Sequence, residues 1–483
     1  MKPISLDAYR LLHKGSLALA RAEANGIRID VDQLDSAIRQ CSERIKHLSK
    51  RLREDEIYQV WKKAYGDRMK LGSREQLGKV LFDHMGMDYR GERTATGRYQ
   101  VNEEVLSNLD LPFTKRFNRL EKLKKLKVTY LEGIRREVIN GFLHPSFNLH
   151  TVSSYRSSSS APNFQNIPIR DPKIGKVIRQ CFIPREGHVL IETDYSGIEV
   201  RIAYCYHQDP TMREYLFDST KDMHRDMAME VYKISKKDWK QIDPSQQKQI
   251  RYCGKNQFVF PQFYGSVWFQ CAPALWESCT KMNLQGPGGI PLREHLANQG
   301  MTKLGVVLKK GKKENLEPEQ DPSPGTFGLH VQQVEQNFWQ RRFPVYTEWK
   351  KKWVQQYREK GYFDMKTGFR CQGLYRRNQT INLPVQGAAF HCLLWSFIEM
   401  DKAIRKRKMR AKLVGQIHDS ILADVPIDEV QDYLHLIKEV ISIRLGEAWK
   451  WLLVPMEVEV DVAESNWHDK KTWVEIDGRW ISK

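Results

Sequence analysis

The sequence predicts an α+β fold in which helical arms surround a small sheet, and three observations predict it. Residues 32–140 and 206–400 carry apolar residues at helical spacing among dense charge. Short apolar runs of strand length open at residue 188 and flank residues 418–420. The chain has 483 residues, beyond the size at which one core stops growing, so roughly two to four subdomains are expected.

Composition narrows the function. Charged residues make up 28% and hydrophobic ones 41%, which excludes a disordered chain. Seventy-eight Lys and Arg against fifty-nine Asp and Glu give a net charge of +19, which favours a polyanionic partner, nucleic acid first and an anionic membrane surface second. A solubility role for the charge is the plain alternative. The eight cysteines are scattered, with no zinc spacing, and read as reduced core residues. No window approaches the ~20 uninterrupted apolar residues of a membrane span, and the apolar start is broken by Lys14 and Arg21. A soluble protein of a bacterial or infected-cell cytoplasm, without signal peptide or membrane contact, is expected.

In chain order, residues 5–25 read as a helix that stops at Asn25-Gly26. Residues 32–140 form a helical arm with basic exposed faces, although any single lysine there is as well explained as a solvated charge. Residues 141–205 turn to strand and loop, including the Ser-rich "SSYRSSSSAPNFQNIP". Residues 206–400 are mostly helical, interrupted at 308–325 by a Pro-, Gly- and charge-rich surface loop. From 411 come two strands about a His-Asp pair, a helix, and "VPMEVEVDVAESNW".

Asp194 ends the apolar strand of "HVLIETDYSG", before a turn into a helix, and Asp419 sits at the tip of the hairpin in "KLVGQIHDSILADVP". If those strands are neighbours the two carboxylates meet, and they stay ionised together only with a cation between them. Hard oxygen ligands of this kind suit Mg²⁺, and two such ions ~4 Å apart clamp the attacking and leaving oxygens of a phosphoryl transfer. Two turn aspartates that never meet are the alternative. Asp243-Pro244 starts a helix on which Arg251 and Lys255, spaced i and i+4, share one face. They suit a triphosphate or are plain surface charges.

Six ordered motifs carry a resemblance to the DNA polymerase I family, family A: "RSSSSAPNFQNIP", "DYSGIEVRI", "DMHRDMA", "RYCGKNQFVFPQFYG", "NLPVQGAAFH" and "QIHDS". The resemblance covers essentially the whole chain. It implies a right-hand polymerase fold, with an antiparallel palm sheet and mostly helical thumb and fingers. The palm takes residues 1–30, 141–205 and 393–483, the thumb 31–140, and the fingers 206–392, with an insertion around 268–328. The implied function is template-directed DNA synthesis, adding dNTPs to a primer 3′-OH with two Mg²⁺, for which Mn²⁺ can substitute. By the same resemblance Asp194, Asp419 and the Tyr195 carbonyl hold metal. Arg251, Lys255 and His224 meet the triphosphate. Glu199 and Phe260 exclude a 2′-hydroxyl, and Tyr264 stacks at the template position. Arg156, Asn163, Gln165, Gln386 and Asn382 contact primer and template, and His418 holds the primer terminus.

The chain departs from the family pattern at several places. Gly197 replaces a Gln, Ser420 replaces the Glu after Asp419, and Asn378 stands where the family tends to carry Arg. Counting forward from Lys255 leaves one extra residue before Phe260, and Pro261 follows, so a kink or bulge is expected there. The insertion reads equally as a processivity-factor contact or as inert. The polymerase region begins at once, so no exonuclease is expected in this chain, a separate proofreading subunit is a candidate partner, and a phage origin fits the compact length. A monomer is expected. Two other functions stay open: a single-subunit RNA polymerase, against which Glu199 speaks, and a DNA-binding relic lacking activity.

Overall fold

Ser5 accepts from the Ala8 amide and starts helix Leu6–Asn25, and Gly26, at φ 64°, ends it where expected. The chain is described by a computed structural model at all residues except 1, 90, 92, 95, 169–170 and 306–324. The surface loop expected at 308–325 lies, but for its last residue, outside the described residues.

The central sheet has six strands, all antiparallel, in the order Lys412–Ile417, Ser420–Pro426, His188–Tyr195, Val458–Ala463, Lys470–Ile476, Arg479–Ser482. Its register sets the site: Ser420 lies opposite Asp194 on one side and Glu459 opposite Asp194 on the other. Helix Leu6–Asn25 packs on strand Lys412–Ile417 and on the 30-residue helix Arg377–Lys406. That long helix has the length and apolarity of a membrane span, yet 83% of its apolar window is buried inside the protein, as in a core helix.

The helical arm expected at 32–140 has a core of its own, built on Leu52, Trp61, Leu77, Leu106, Phe117 and Leu120. The main core joins the sheet to the helices after residue 206. The expected insertion is no free appendage among its described residues. Its helices Trp268–Lys281 and Leu292–Asn298 enter that core through Leu275, Trp276, Leu292 and Leu296.

Local chemistry explains the irregular helices. Pro384 sits inside Arg377–Lys406 and has no N–H for the Thr380 carbonyl, and the Trp353 indole donates to that carbonyl at 3.0 Å instead. The break expected near Phe260 is present as a π turn, Gly254–Val259, in which the Phe260 amide reaches back to the Lys255 carbonyl. A π turn absorbs one extra residue, which matches the surplus counted before Phe260.

Three regions differ from the sequence reading. Residues 141–205, read as strand and loop before the turn at Asp194, contain helix Pro172–Arg179, whose signals are Asp171 accepting from the Lys173 and Ile174 amides and Pro172 at the first turn. Strands Tyr362–Asp364 and Phe369–Gln372 interrupt the helical region, and the first strand of the chain, Lys2–Pro3, completes their small sheet. Finally, Lys470–Ile476 and Arg479–Ser482 extend the central sheet where no strands were read.

Candidate active site

Asp194 stands at the carboxyl end of its strand, and the Tyr195 amide donates to the Asp419 carbonyl at 3.2 Å, which ties the hairpin tip to that strand end. The two acids, far apart in sequence, therefore share one corner of the sheet. Asp194 reaches solvent but is crowded by protein. That desolvation, with the charges of Asp419, Glu192 and Glu459, pushes its carboxyl up to about 7, while Lys470 pulls the other way. Burial also raises Asp419, against Arg156 and His418. His418 itself is exposed at the hairpin tip with φ 49°, a left-handed turn position. The corner thus holds excess negative charge.

Arg156 bridges part of that charge, with Nη2 3.4 Å from Asp419 and Nη1 3.7 Å from Glu199. Glu199 accepts a hydrogen bond from the Tyr264 hydroxyl, and burial raises its carboxyl. The Tyr264 carbonyl accepts from Asn382 at 3.3 Å. Behind Tyr264 lies a small, mainly apolar pocket lined by Glu199, Phe260, Tyr346, Asn382 and Gln386 among others.

The cationic residues form a second group. Arg251 donates to Asp222 at 2.5 Å, and Asp222 caps the helix Met223–Val231 that carries His224. Lys255 lies 5.2 Å from the Phe260 ring, and His224 meets the same ring edge-on at 5.5 Å. Burial and the charges of Arg251 and Lys255 push His224 down to about 4, so it is neutral near pH 7. Gly254 lets the two helices touch, since a Cβ there would lie 2.7 Å from the His224 carbonyl oxygen and from the Ala228 Cβ. Phe260 and Tyr264, with ring centroids 6.5 Å apart, join the cationic group to Glu199 and so to the acidic corner.

The remaining residues divide. Gln165 is buried beneath the hairpin, where its amide donates to Ser157 and to Gln416, each at 2.7 Å. Asn163 is exposed one turn earlier and takes a 3.4 Å bond from Ser159. Gln165 and His418 also edge an open cleft between the helical arm and the sheet, whose lining sets Arg74, Lys122 and Lys125 among Glu103, Glu121 and Asp171.

Among the described residues no three His, Cys, Asp or Glu side chains are grouped as metal ligands. The carboxylates of Asp194 and Asp419 and the Tyr195 carbonyl offer only oxygen, the donor type suited to Mg²⁺, an ion commonly held by one or two carboxylates with water and phosphate. Ser420 is buried, its hydroxyl donating to the Ile417 carbonyl at 2.9 Å, and brings no charge. The sequence reading missed Glu192, Glu459 and Lys470. For Glu459 the signal was the alternation of acids in "MEVEVDV", which sets Glu457, Glu459 and Asp461 on one face of a strand.

Two acids at one end of the central sheet and two cations, Arg251 and Lys255, linked to them through Phe260, Tyr264 and Glu199, make up the candidate site. The sequence profile of DNA polymerase family A matches residues 35–268 and 331–469. The chain belongs to DNA polymerase family A. It is 28% identical over 464 residues to the thermostable DNA polymerase I of Thermus thermophilus, covering 93% of this chain and 47% of that protein. To DNA polymerase I of Lactococcus lactis subsp. cremoris it is 26% identical over 473 residues, covering 94% and 45%. The chain thus spans about half the length of these curated relatives. A solved structure, the polymerase domain of Pol1 from M. smegmatis in complex with DNA primer-template and dNTP, shares the fold with a TM-score of 0.69 at 23% identity, covering 94% of this chain and 70% of that one.

Proposed function

We propose that the chain is a DNA-directed DNA polymerase that adds dNTPs to a primer 3′-OH. The observation that carries this reading is the meeting of Asp194 and Asp419 at one sheet corner, joined through Glu199, Tyr264 and Phe260 to the cations Arg251 and Lys255. In this reading residues 31–140 act as thumb, 206–392 as fingers, and the remainder as palm.

Asp194, Asp419 and the Tyr195 carbonyl would hold the metal ions. Two bound Mg²⁺, or Mn²⁺ in their stead, would supply Lewis-acid stabilisation of the attacking and leaving oxygens. Arg251 and Lys255 draw in the triphosphate, and Arg251 exchanges its Asp222 partner for phosphate oxygens. His224, uncharged, offers an N–H to the same group. Glu199 and Phe260 fill the space below the sugar and exclude a 2′-hydroxyl, so deoxynucleotides are chosen. Tyr264 leaves Glu199 when a template base enters. Arg156 gives up the acidic corner to reach, with Asn163, Gln165, Gln386 and Asn382, the groove acceptors that every correct pair presents alike. His418, exposed at the hairpin tip, steadies the primer end.

The deciding experiment is single-nucleotide addition to a labelled primer with dNTP or NTP, with and without Mg²⁺. Extension with dNTP and Mg²⁺ only is expected, and NTP preference would turn the reading to an RNA polymerase. Asp419→Ala and Asp194→Ala should each lose about 3 kcal/mol or more of barrier lowering, on the order of a hundredfold in rate, while still binding primer-template in a gel shift. Full activity of either variant would remove the site assignment.

A further inference from the structure

The last hairpin of the chain, residues 470–482, lies beyond the stretch matched by the family, yet its first residue reaches the face that carries Asp194. Glu192 and Asp194 point to one side of their strand, and their cross-strand partners are Asp461 and Glu459. Four acids therefore occupy two adjacent register pairs. The inner pair is closed by the Lys470 ammonium, 2.8 Å from Glu192 and 2.7 Å from Asp461. Glu192 also accepts from the Trp467 indole at 2.8 Å and has Arg179 at 3.8 Å, and Asp461 accepts from Thr472 at 2.8 Å. Lys470 is thus the group that touches both inner acids, and it is three-quarters buried in doing so.

We propose that Lys470 is a positioning residue for Asp194, its ammonium standing in for a cation at Glu192 and Asp461 so that divalent ions gather only at the Asp194–Asp419 end of the sheet. The inference rests on the reading of Asp194 as a metal ligand. The physical reason is direct. Without Lys470, paired carboxylates on neighbouring strands repel unless an ion lies between them, and a divalent ion attracted there would compete with the catalytic site and draw Asp194 away from the hairpin tip. A fixed ammonium removes that demand without adding a metal.

The test counts Mn²⁺ bound to the DNA-free protein by electron paramagnetic resonance, alongside the Mg²⁺ dependence of single-nucleotide addition. Lys470→Met should bind one more Mn²⁺ than the wild type. Its Mg²⁺ concentration for half-maximal addition should shift by about tenfold, as for other groups that orient metal ligands, with unchanged affinity for primer-template. Lys470→Arg should keep the wild-type count, and Lys470→Met combined with Glu192→Gln should return to it. A wild-type ion count and Mg²⁺ dependence in folded Lys470→Met would overturn the inference and leave Lys470 as a fastening of the hairpin. Should Lys470→Met not fold, Lys470→Gln, neutral and polar, takes its place: one more bound Mn²⁺ and a raised Mg²⁺ requirement are expected, and no change in either overturns the proposal. Asp194→Ala separates the two readings. If it leaves ion count and extension untouched, the metal site itself is misassigned. If it alters both while Lys470→Met alters neither, only the role of Lys470 fails.

Discussion

Gly197 shows how a single backbone angle accounts for a departure from the family pattern. It lies at φ 60° and ψ 39°, in the left-handed region, just before helix Ile198–His207, and nothing stands within 4 Å of where a Cβ would be. Space is no obstacle, so restoring a side chain costs backbone energy alone. Gly197→Gln should lower stability by about 1–2 kcal/mol in urea unfolding. His391 offers a pH test. It is fully buried, stacked on Phe369 at 4.2 Å and bonded to Thr367, and burial pushes it down to about 3. Between about pH 6.5 and 3 the unfolded chain binds a proton there that the folded chain refuses. Its contribution is therefore complete above the unfolded value and lost on acidification, at up to about 1.4 kcal/mol per pH unit. His391→Asn should flatten the plot of unfolding energy against pH by up to one proton in that window.

Among the elements, the two helices that hold the site contain prolines, and each is accommodated differently. The π turn Gly254–Val259 shifts Phe260 around the helix axis relative to Lys255, so that the cation and the ring meet on one side. In Arg377–Lys406 the carbonyl orphaned by Pro384 is satisfied from outside by Trp353. Trp353→Phe should cost about 1–3 kcal/mol, the penalty of a buried acceptor left unpaired. In a Pro384→Ala background, where the helix can supply its own N–H, the same change should cost less, and a double-mutant cycle on thermal or urea unfolding measures the difference. The site's strand end and hairpin tip were legible because Asp194 and Asp419 each follow an apolar run that can only be buried. The terminal hairpin was not: Lys470–Ile476 alternates too weakly, with Lys471 and Thr472 exposed, to be told from a loop.

For the whole molecule, the helical arm and the sheet face each other across the cleft edged by Arg74, Lys122 and Lys125. If duplex DNA lies there, its affinity should fall steeply with salt. Lys125→Ala should reduce the slope of log affinity against log salt by about 0.9, the value of one neutralised phosphate, without changing base preference. Anisotropy titrations at several salt concentrations measure it. At this scale the helical arm was readable in advance, because its amphipathic pattern is long and its core, from Leu48 to Leu120, is local. Arg156 and Gln165 were less so. Their spacing says nothing of Asp419 or Gln416, some 250 residues away, to which they are bonded.

By itself the sequence determined the long helices, the strand that ends at Asp194, the hairpin at Asp419, the basic balance and the candidate acids and cations of the site, because these follow from periodicity, charge and residue chemistry within short windows. Only the tertiary structure decided which charges meet. The register of six antiparallel strands sets Glu459 beside Asp194 and Lys470 between Glu192 and Asp461, and register depends on long-range pairing that no local pattern contains.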